Sequence, residues 1–469
     1  MTTERDYPNI VFILADDMGY GDFSAFNDGR SRTATLDALM DESVCLTQQY
    51  TASPVCNPSR AALMTGRYPH RTGSIDTLEW WGLERLALRE TTIADVLKGA
   101  GYATGLVGKW HLGAFDARYH PNARGFDEAV CFRGGMHDYY NWRLDYNNTV
   151  RRGDGRYLTD VFTEEAMQFI RRHRSEPFFL HLTYNAPHTP LEAPLEEIQP
   201  FLATGQFNKG VSMIYAMIHR MDSGIAQISD TLKELGLEEN TILVFTSDNG
   251  PQFGGEGEQC TTRFNCHFNG AKGSVYEGGI RVPLLIRWPA GLQGQRFFHE
   301  MVHFSDWFPT LLAAAGIAVP EGLKLDGVNV LPVLRGEGGK VETQRFWQWN
   351  RYTPLVTGNA AMRDGDWKLI RPAIREAMAV PDLHWLPVSM YMPEHFIHNG
   401  IFSPPFPDRD VPDPAPPELY NIAQDPLEQE NLAGKYPERA RRMLQDLETW
   451  FEEVEAERAT IEEQNLTGI

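Results

Sequence analysis

Four short apolar runs, each emptying into a cluster of polar residues, constrain the fold of this chain more than any other feature. Asn9-Ile10-Val11-Phe12-Ile13-Leu14-Ala15 ends in Asp16-Asp17 and glycines, and Thr241 to Ser247 ends in Asp248-Asn249-Gly250. Pro177 to Tyr184 delivers Asn185-Ala186-Pro187-His188, and Ala103 to Val107 delivers Gly108-Lys109-Trp110-His111. Continuous, β-branched runs of this length read as strands buried on both faces. Between them, Thr33 to Glu42, Thr92 to Ala100, Thr159 to Arg172 and Val211 to Leu235 repeat apolar residues at three- and four-residue spacing, which predicts helices. Strands alternating with helices imply an α/β fold, a large mostly parallel or mixed sheet flanked by helices. In such sheets ligands bind beyond the carboxyl ends of the strands, where all four polar clusters then lie.

At 469 residues the chain is too long for one typical core. The pattern changes after about Arg335. Met362 to Ile370 reads as a hairpin around Asp364-Gly365, Ser403 to Pro417 as an irregular Pro-rich loop, and Pro437 to Glu457 as an amphipathic helix. The expected division is a catalytic domain over 1–340 and a smaller α+β subdomain over 341–469, with an antiparallel sheet and a terminal helix. A net charge of −20 opposes nucleic acid, so an anionic substrate must be held by a few focused cations. No stretch approaches the roughly 20 apolar residues of a membrane span, so no membrane partner is expected. The first residues lack the basic start and apolar core of an export signal. A cytoplasmic location is the expectation, and a periplasmic or secreted one if a leader has been removed. The five cysteines, Cys45, Cys56, Cys131, Cys260 and Cys266, form an odd set that argues against a disulfide framework. Cys260 and Cys266 are close enough to bridge, with a reduced pair the better expectation.

The run Cys56-Asn57-Pro58-Ser59-Arg60-Ala61-Ala62-Leu63-Met64-Thr65-Gly66-Arg67 is the most specific signal. It resembles the signature of the formylglycine-dependent sulfatases, of the alkaline-phosphatase-like superfamily: Cys-x-Pro-Ser-Arg followed by Leu-x-Thr-Gly-Arg. That resemblance implies that a maturation enzyme oxidises Cys56 to formylglycine (3-oxoalanine), which hydrates to a geminal diol. One diol oxygen, beside a divalent metal, can shed its proton and attack sulfur. The second hydroxyl then expels sulfate.

Asp16, Asp17, Asp248 and Asn249 supply hard oxygens, which with the oxidised residue 56 make a shell suited to calcium rather than zinc; magnesium stays open. Asp16 to Asp22 and Asp248 to Gly250 are also similar to the family's metal motifs. The focused cations are Arg60, Lys109 and Lys272, each inside a family-like stretch, and their implied work is to hold sulfate oxygens. By resemblance His188, with Lys272, protonates the leaving oxygen and His111 serves the diol. His267 matches no motif and is taken as a substrate contact.

The reading is a sulfuric ester hydrolase acting on a sulfated saccharide or small aryl sulfate. The alternatives are a formylglycine-dependent phosphodiesterase or phosphonate monoester hydrolase, and a sulfated-glycan binder without turnover. Substrate choice falls to Ser74 to Leu88, Cys131 to Asn148, Gln252 to Asn269 and Pro372 to Pro417. Their Trp80, Trp81, Arg133, His137, Asp138, Tyr139, Tyr140, Trp142 and Arg143 are expected to form aromatic platforms with polar groups, suited to a sugar ring.

Overall fold

The computed structural model describes residues 7–254, 260–339 and 341–462, so the residues read for an export signal and part of the 252–269 segment lie outside it. Its main sheet contains β1 (Asn9–Ala15), β2 (Val44–Tyr50), β3 (Ala103–Lys109), β4 (Glu128–Phe132), β5 (Arg143–Tyr146) and β6 (Thr149–Arg152). It continues with β7 (Phe178–Thr183), β8 (Thr241–Ser247), β9 (Arg281–Arg287), β10 (Arg296–Phe298) and β11 (Val302–His303). The spatial order is β10-β2-β9-β8-β1-β7-β3-β4-β5-β6, with β11 beside β2. The four strands legible in the sequence are its adjacent centre, β8-β1-β7-β3, and they run parallel.

Successive side chains of a strand point to opposite faces. In β1, Val11, Ile13 and Ala15 join a core with the helices Leu158–Arg172 and Lys209–Glu234. Ile10, Phe12 and Leu14 join the other, with Ala61, Ala62 and Leu63 of the helix Cys56–Thr65 and with Trp307 and Leu311. Two apolar faces require a continuous run rather than an alternating one, which is why this strand was visible. The flanks are mixed: β9 pairs antiparallel with β8 and β2, and β5 with β4 and β6, while β10 and β11 run parallel to β2 and β4 parallel to β3.

The second sheet is antiparallel, β12 (Gln344–Gln348), β13 (Ala360–Asp364), β14 (Trp367–Arg371) and β15 (Glu418–Asn421), in that order. The helix Pro437–Arg458 covers it, laying Met443, Leu447 and Trp450 on Met362, Leu369 and Leu419. The expected hairpin is β13–β14, with Gly365 at its turn in the left-handed region (φ 58°) that glycine adopts freely. Pro372 to Pro417 is not all loop. It contains the helices Leu386–Tyr391 and Glu394–Asn399, tied to the chain around β5 by Arg143 to Glu394 (2.5 Å) and the Tyr391 hydroxyl to Asp138 (2.8 Å).

Candidate active site

The parallel register sets Ala15 opposite Ser247, so Asp16-Asp17 and Asp248-Asn249 emerge side by side. Asp17 adopts φ 69°, a conformation costly for a residue with a Cβ and found most often where function holds it. Its N–H donates to Asp248 Oδ1 at 3.3 Å. Ligand atoms of Asp16, Cys56 and Asp248 lie within 4.8 Å of one another, as do those of Asp16, Asp17 and His188. Asp16 Oδ1 and Asn249 Oδ1 are buried and have no hydrogen-bond partner among the described residues. Buried acceptors rarely stay unpaired, and carboxylate and amide oxygens are what calcium or magnesium takes, so these residues fit a hard divalent cation.

Three cations ring these oxygens. Lys109 Nζ lies 2.6 Å from Asp16 Oδ2, Arg60 grips Asp248 Oδ2 through Nε (2.9 Å) and Nη2 (2.8 Å), and Lys272 Nζ is 2.8 Å from Asp17. Burial first, and then the charge of Asp16, push the Asp248 carboxyl up to about 6. Burial also works on Asp17, but Lys272 and His188 together hold it below the usual carboxylate range. Burial opposes the ammonium of Lys272, yet Asp17, Cys56 and Asp16 outweigh it and hold its pKa above the ordinary value. Three carboxylates against three cations leave these six side chains neutral, so a divalent ion added among them would turn the pocket towards anions.

Cys56 opens the helix Cys56–Thr65, whose free N–H groups and dipole favour negative charge at that end. Arg60, one turn on, shares its face. Gly66 ends the helix in the left-handed region (φ 68°), with space for no Cβ, which would sit 2.9 Å from that of Phe308. Arg67 turns away from the site to Glu90 (3.0 Å) and to Glu457 of the C-terminal helix. The second arginine of the signature is thus structural. Burial raises the Cys56 thiol, against Lys109 and Lys272, so an unmodified thiol here stays protonated.

His111 has φ 56°, and neither of its buried ring nitrogens has a partner among the described residues. Burial, then Lys109 and Arg60, lower its pKa well below the ordinary value, so the ring is neutral. His188 is likewise lowered, to about 3, by burial and then Lys272. Its Nδ1 is 2.6 Å from the Thr189 carbonyl, which accepts that N–H, and its Nε2 lies 3.8 Å from Asp17 Oδ2.

Sequence reasoning missed two supports. Asn57, at the wildcard position of the signature, donates Nδ2 to the carbonyls of Glu84 and His111, both at 2.7 Å. Arg263 clamps Asp22 from Nε (2.8 Å) and Nη2 (2.6 Å) and also donates to the Asp17 carbonyl at 2.7 Å. Neither has a local pattern, because the partners are far apart in the chain. The expected aromatic platforms are corrected at four positions and not at Tyr140, which is exposed: Trp80, Tyr139 and Trp142 are buried, and the indole N–H groups of Trp80 and Trp81 both donate to Asp382 Oδ2. Those four rings are packing. His267 packs edge-on to Phe264. Cys260 and Cys266 are both free thiols.

Residues 8–317 match the Sulfatase family, and 267–390 match the family described as N-sulphoglucosamine sulphohydrolase, C-terminal. Arylsulfatase J of Mus musculus is 30% identical over 474 residues, covering 95% of this chain and 76% of that protein. An N-acetylgalactosamine-6-O-sulfatase of Bacteroides thetaiotaomicron is 30% identical, with 94% and 93% covered. Among solved structures, Ps i-CgsB in complex with k-i-k-neocarrahexaose superposes with a TM-score of 0.77 at 30% identity, covering 95% of this chain and 92% of that one.

Proposed function

The chain belongs to the sulfatase family and is a sulfuric ester hydrolase; we propose that it removes sulfate from a saccharide, with formylglycine at position 56 and calcium among Asp16, Asp17, Asp248 and Asn249. The observation that carries this reading is the placement of Cys56. Its side chain, at a helix N-terminus, shares one pocket with two carboxylates and lies under the charges of Lys109 and Lys272. A buried, protonated thiol is inert there, whereas the hydrate of its aldehyde offers one hydroxyl to attack sulfur and displace the alcohol, and a second that, on losing its proton, re-forms the aldehyde and breaks the C–O bond to sulfate. When bound, calcium supplies positive charge that acidifies a hydroxyl beside it and draws in sulfate oxygens.

The remaining work falls to this chain's own side chains. Arg60 and Lys109, held by Asp248 and Asp16, orient the carboxylates and add fixed positive charge near the reacting group. His111, neutral and unbonded, accepts a proton from the second hydroxyl of residue 56. As the S–O bond breaks, the Lys272 ammonium gives a proton to the departing ester oxygen, and His188, with Nδ1–H committed to Thr189, has a bare Nε2 to accept the proton shed by the attacking hydroxyl. Saccharide specificity draws on the likeness to the N-acetylgalactosamine-6-O-sulfatase and to the structure solved with k-i-k-neocarrahexaose bound.

The test is peptide mass mapping of position 56 alongside sulfate release, before and after chelation and calcium re-addition. We expect activity to scale with the oxidised fraction, to vanish on chelation and to return with calcium. Full activity from unoxidised thiol, or from exhaustively metal-free protein, overturns the reading. Higher kcat/KM on an aryl phosphate diester than on the matching aryl sulfate would favour phosphorus esters instead.

A further inference from the structure

A cavity of about 150 Å³ is walled by Gly134 and the chain around β4 and β5 and by the helices Leu386–Tyr391 and Glu394–Asn399. Glu79 is part of its lining. Its Oε1 accepts the Gly135 N–H at 2.5 Å. A Cβ placed on Gly135 would lie 2.8 Å from Cε1 and Nε2 of His111 and 3.3 Å from Glu79 Oε1. Carboxylate and imidazole therefore meet across a residue with no side chain. A carboxyl group offers about four acceptor sites, and the Gly135 N–H uses one of them, while the Ser389 hydroxyl beside it donates to the Leu386 carbonyl at 2.9 Å. The remaining capacity is open to a ligand in the cavity that this residue lines. Phe115, Phe132 and Leu144 give that space apolar walls, and Arg133, which donates to the carbonyls of Gly113 and Asp116 rather than to a carboxylate, gives it a cation.

We propose that this cavity is the subsite for the pyranose ring that carries the sulfate, and that Glu79 fixes the ring by accepting hydrogen bonds from hydroxyls beside the ester. This rests on the sulfatase reading above and adds the residue that selects the alcohol. A cavity of about 150 Å³ holds one six-membered ring. The chemistry of its lining decides which kind. An aromatic ring would strip water from the Glu79 carboxylate and return no donor, whereas a sugar returns hydroxyl donors and still lays its C–H face on Phe115 and Phe132. Discrimination by a buried polar group left unpaired is the strong form of specificity, so the carboxylate rather than the cavity's size should set the preference.

The experiment uses the calcium-loaded, oxidised enzyme with 4-nitrophenyl sulfate and a panel of hexose and hexosamine monosulfates. Wild type is expected to turn over at least one sugar ester. Glu79→Gln should lower kcat/KM on that ester at least tenfold, chiefly through KM, and move the aryl ester less than threefold. Ile397→Trp, at a half-exposed position lining the same cavity, should give the same selective loss should the first variant fold poorly. Equal losses on both esters would mean that Glu79 acts through His111 and would overturn the subsite. So would an enzyme that hydrolyses the aryl ester and no pyranose sulfate, although the sulfatase reading would then stand. Turnover of neither class sinks that reading and takes the subsite with it.

Discussion

Glu84 is fully buried, one of its oxygens accepts the Ala114 N–H at 2.9 Å, and the other has no partner among the described residues. Burial, against the charge of Arg85, pushes its carboxyl up to about 7 from an ordinary 4.5. A folded-state pKa above the unfolded one means that folding favours the protonated acid. The contribution is fully present below about 4.5 and is lost as pH rises through 7. Glu84→Gln should therefore be more stable than wild type by on the order of 2 kcal/mol at pH 8, with the gap closing by pH 5, in denaturant unfolding at the two pH values. The carbonyl of the same residue receives Asn57 Nδ2, which also holds the His111 carbonyl. Asn57→Ala leaves the His111 carbonyl unpaired, at about 1–3 kcal/mol, with the Glu84 carbonyl kept by the Ser74 hydroxyl at 3.3 Å, and frees the backbone that sets the His111 ring. A tenfold to hundredfold loss of kcat/KM is expected, and Asn57→Ala with unchanged kinetics would show that His111 is held by other contacts.

At the scale of elements, the sheet edge makes the site because parallel strands in register end together. Asp16, Lys109, His188 and Asp248 were legible since each follows an apolar run, and the run's length is imposed by cores on both faces. The loops that brace that edge were not legible. Asp22 and Arg263 are separated by 241 residues and meet because Gly21 packs against the Phe264 carbonyl, where a Cβ would sit only 2.0 Å away. The short helices after β14 escaped notice because Pro, His and Met interrupt any spacing there. Arg263→Met would strand the buried Asp22 carboxylate and release the Asp17 carbonyl. We expect calcium affinity to fall at least tenfold by titration calorimetry, in line with the effect of removing groups that hold metal ligands in place. Unchanged affinity would mean that β1 alone fixes Asp17.

Across the whole molecule the large sheet and the small one are joined by a buried ionic network that no sequence pattern announces. Lys368 of β14 lies 2.8 Å from Glu277 and 2.8 Å from Glu428, all three buried, and the Tyr50 hydroxyl and Arg281 also reach Glu277. Gly278 and Gly279, which follow Glu277, pack against the loop that carries Lys272, so the junction and the site share one stretch of chain. The work of Glu277 is structural: it fastens the second sheet beside the pocket. Removing Lys368 costs about 3–5 kcal/mol, because Glu428 is left buried without its cation while Glu277 keeps Arg281 and the Tyr50 hydroxyl. Lys368→Met leaves two carboxylates facing each other, of which Glu428 already sits at about 7 through burial and the charge of Glu277, despite Lys368. Without the lysine its folded pKa rises further, so the variant should lose most stability at pH 8 and recover part of it at pH 6 as Glu428 takes a proton. Hydrogen exchange should show β12 to β15 and the helix Pro437–Arg458 opening before β1, β7 and β8, and Glu428→Gln added to Lys368→Met should restore part of the loss. Uniform loss across both sheets, independent of pH, would show that the network is not what joins them.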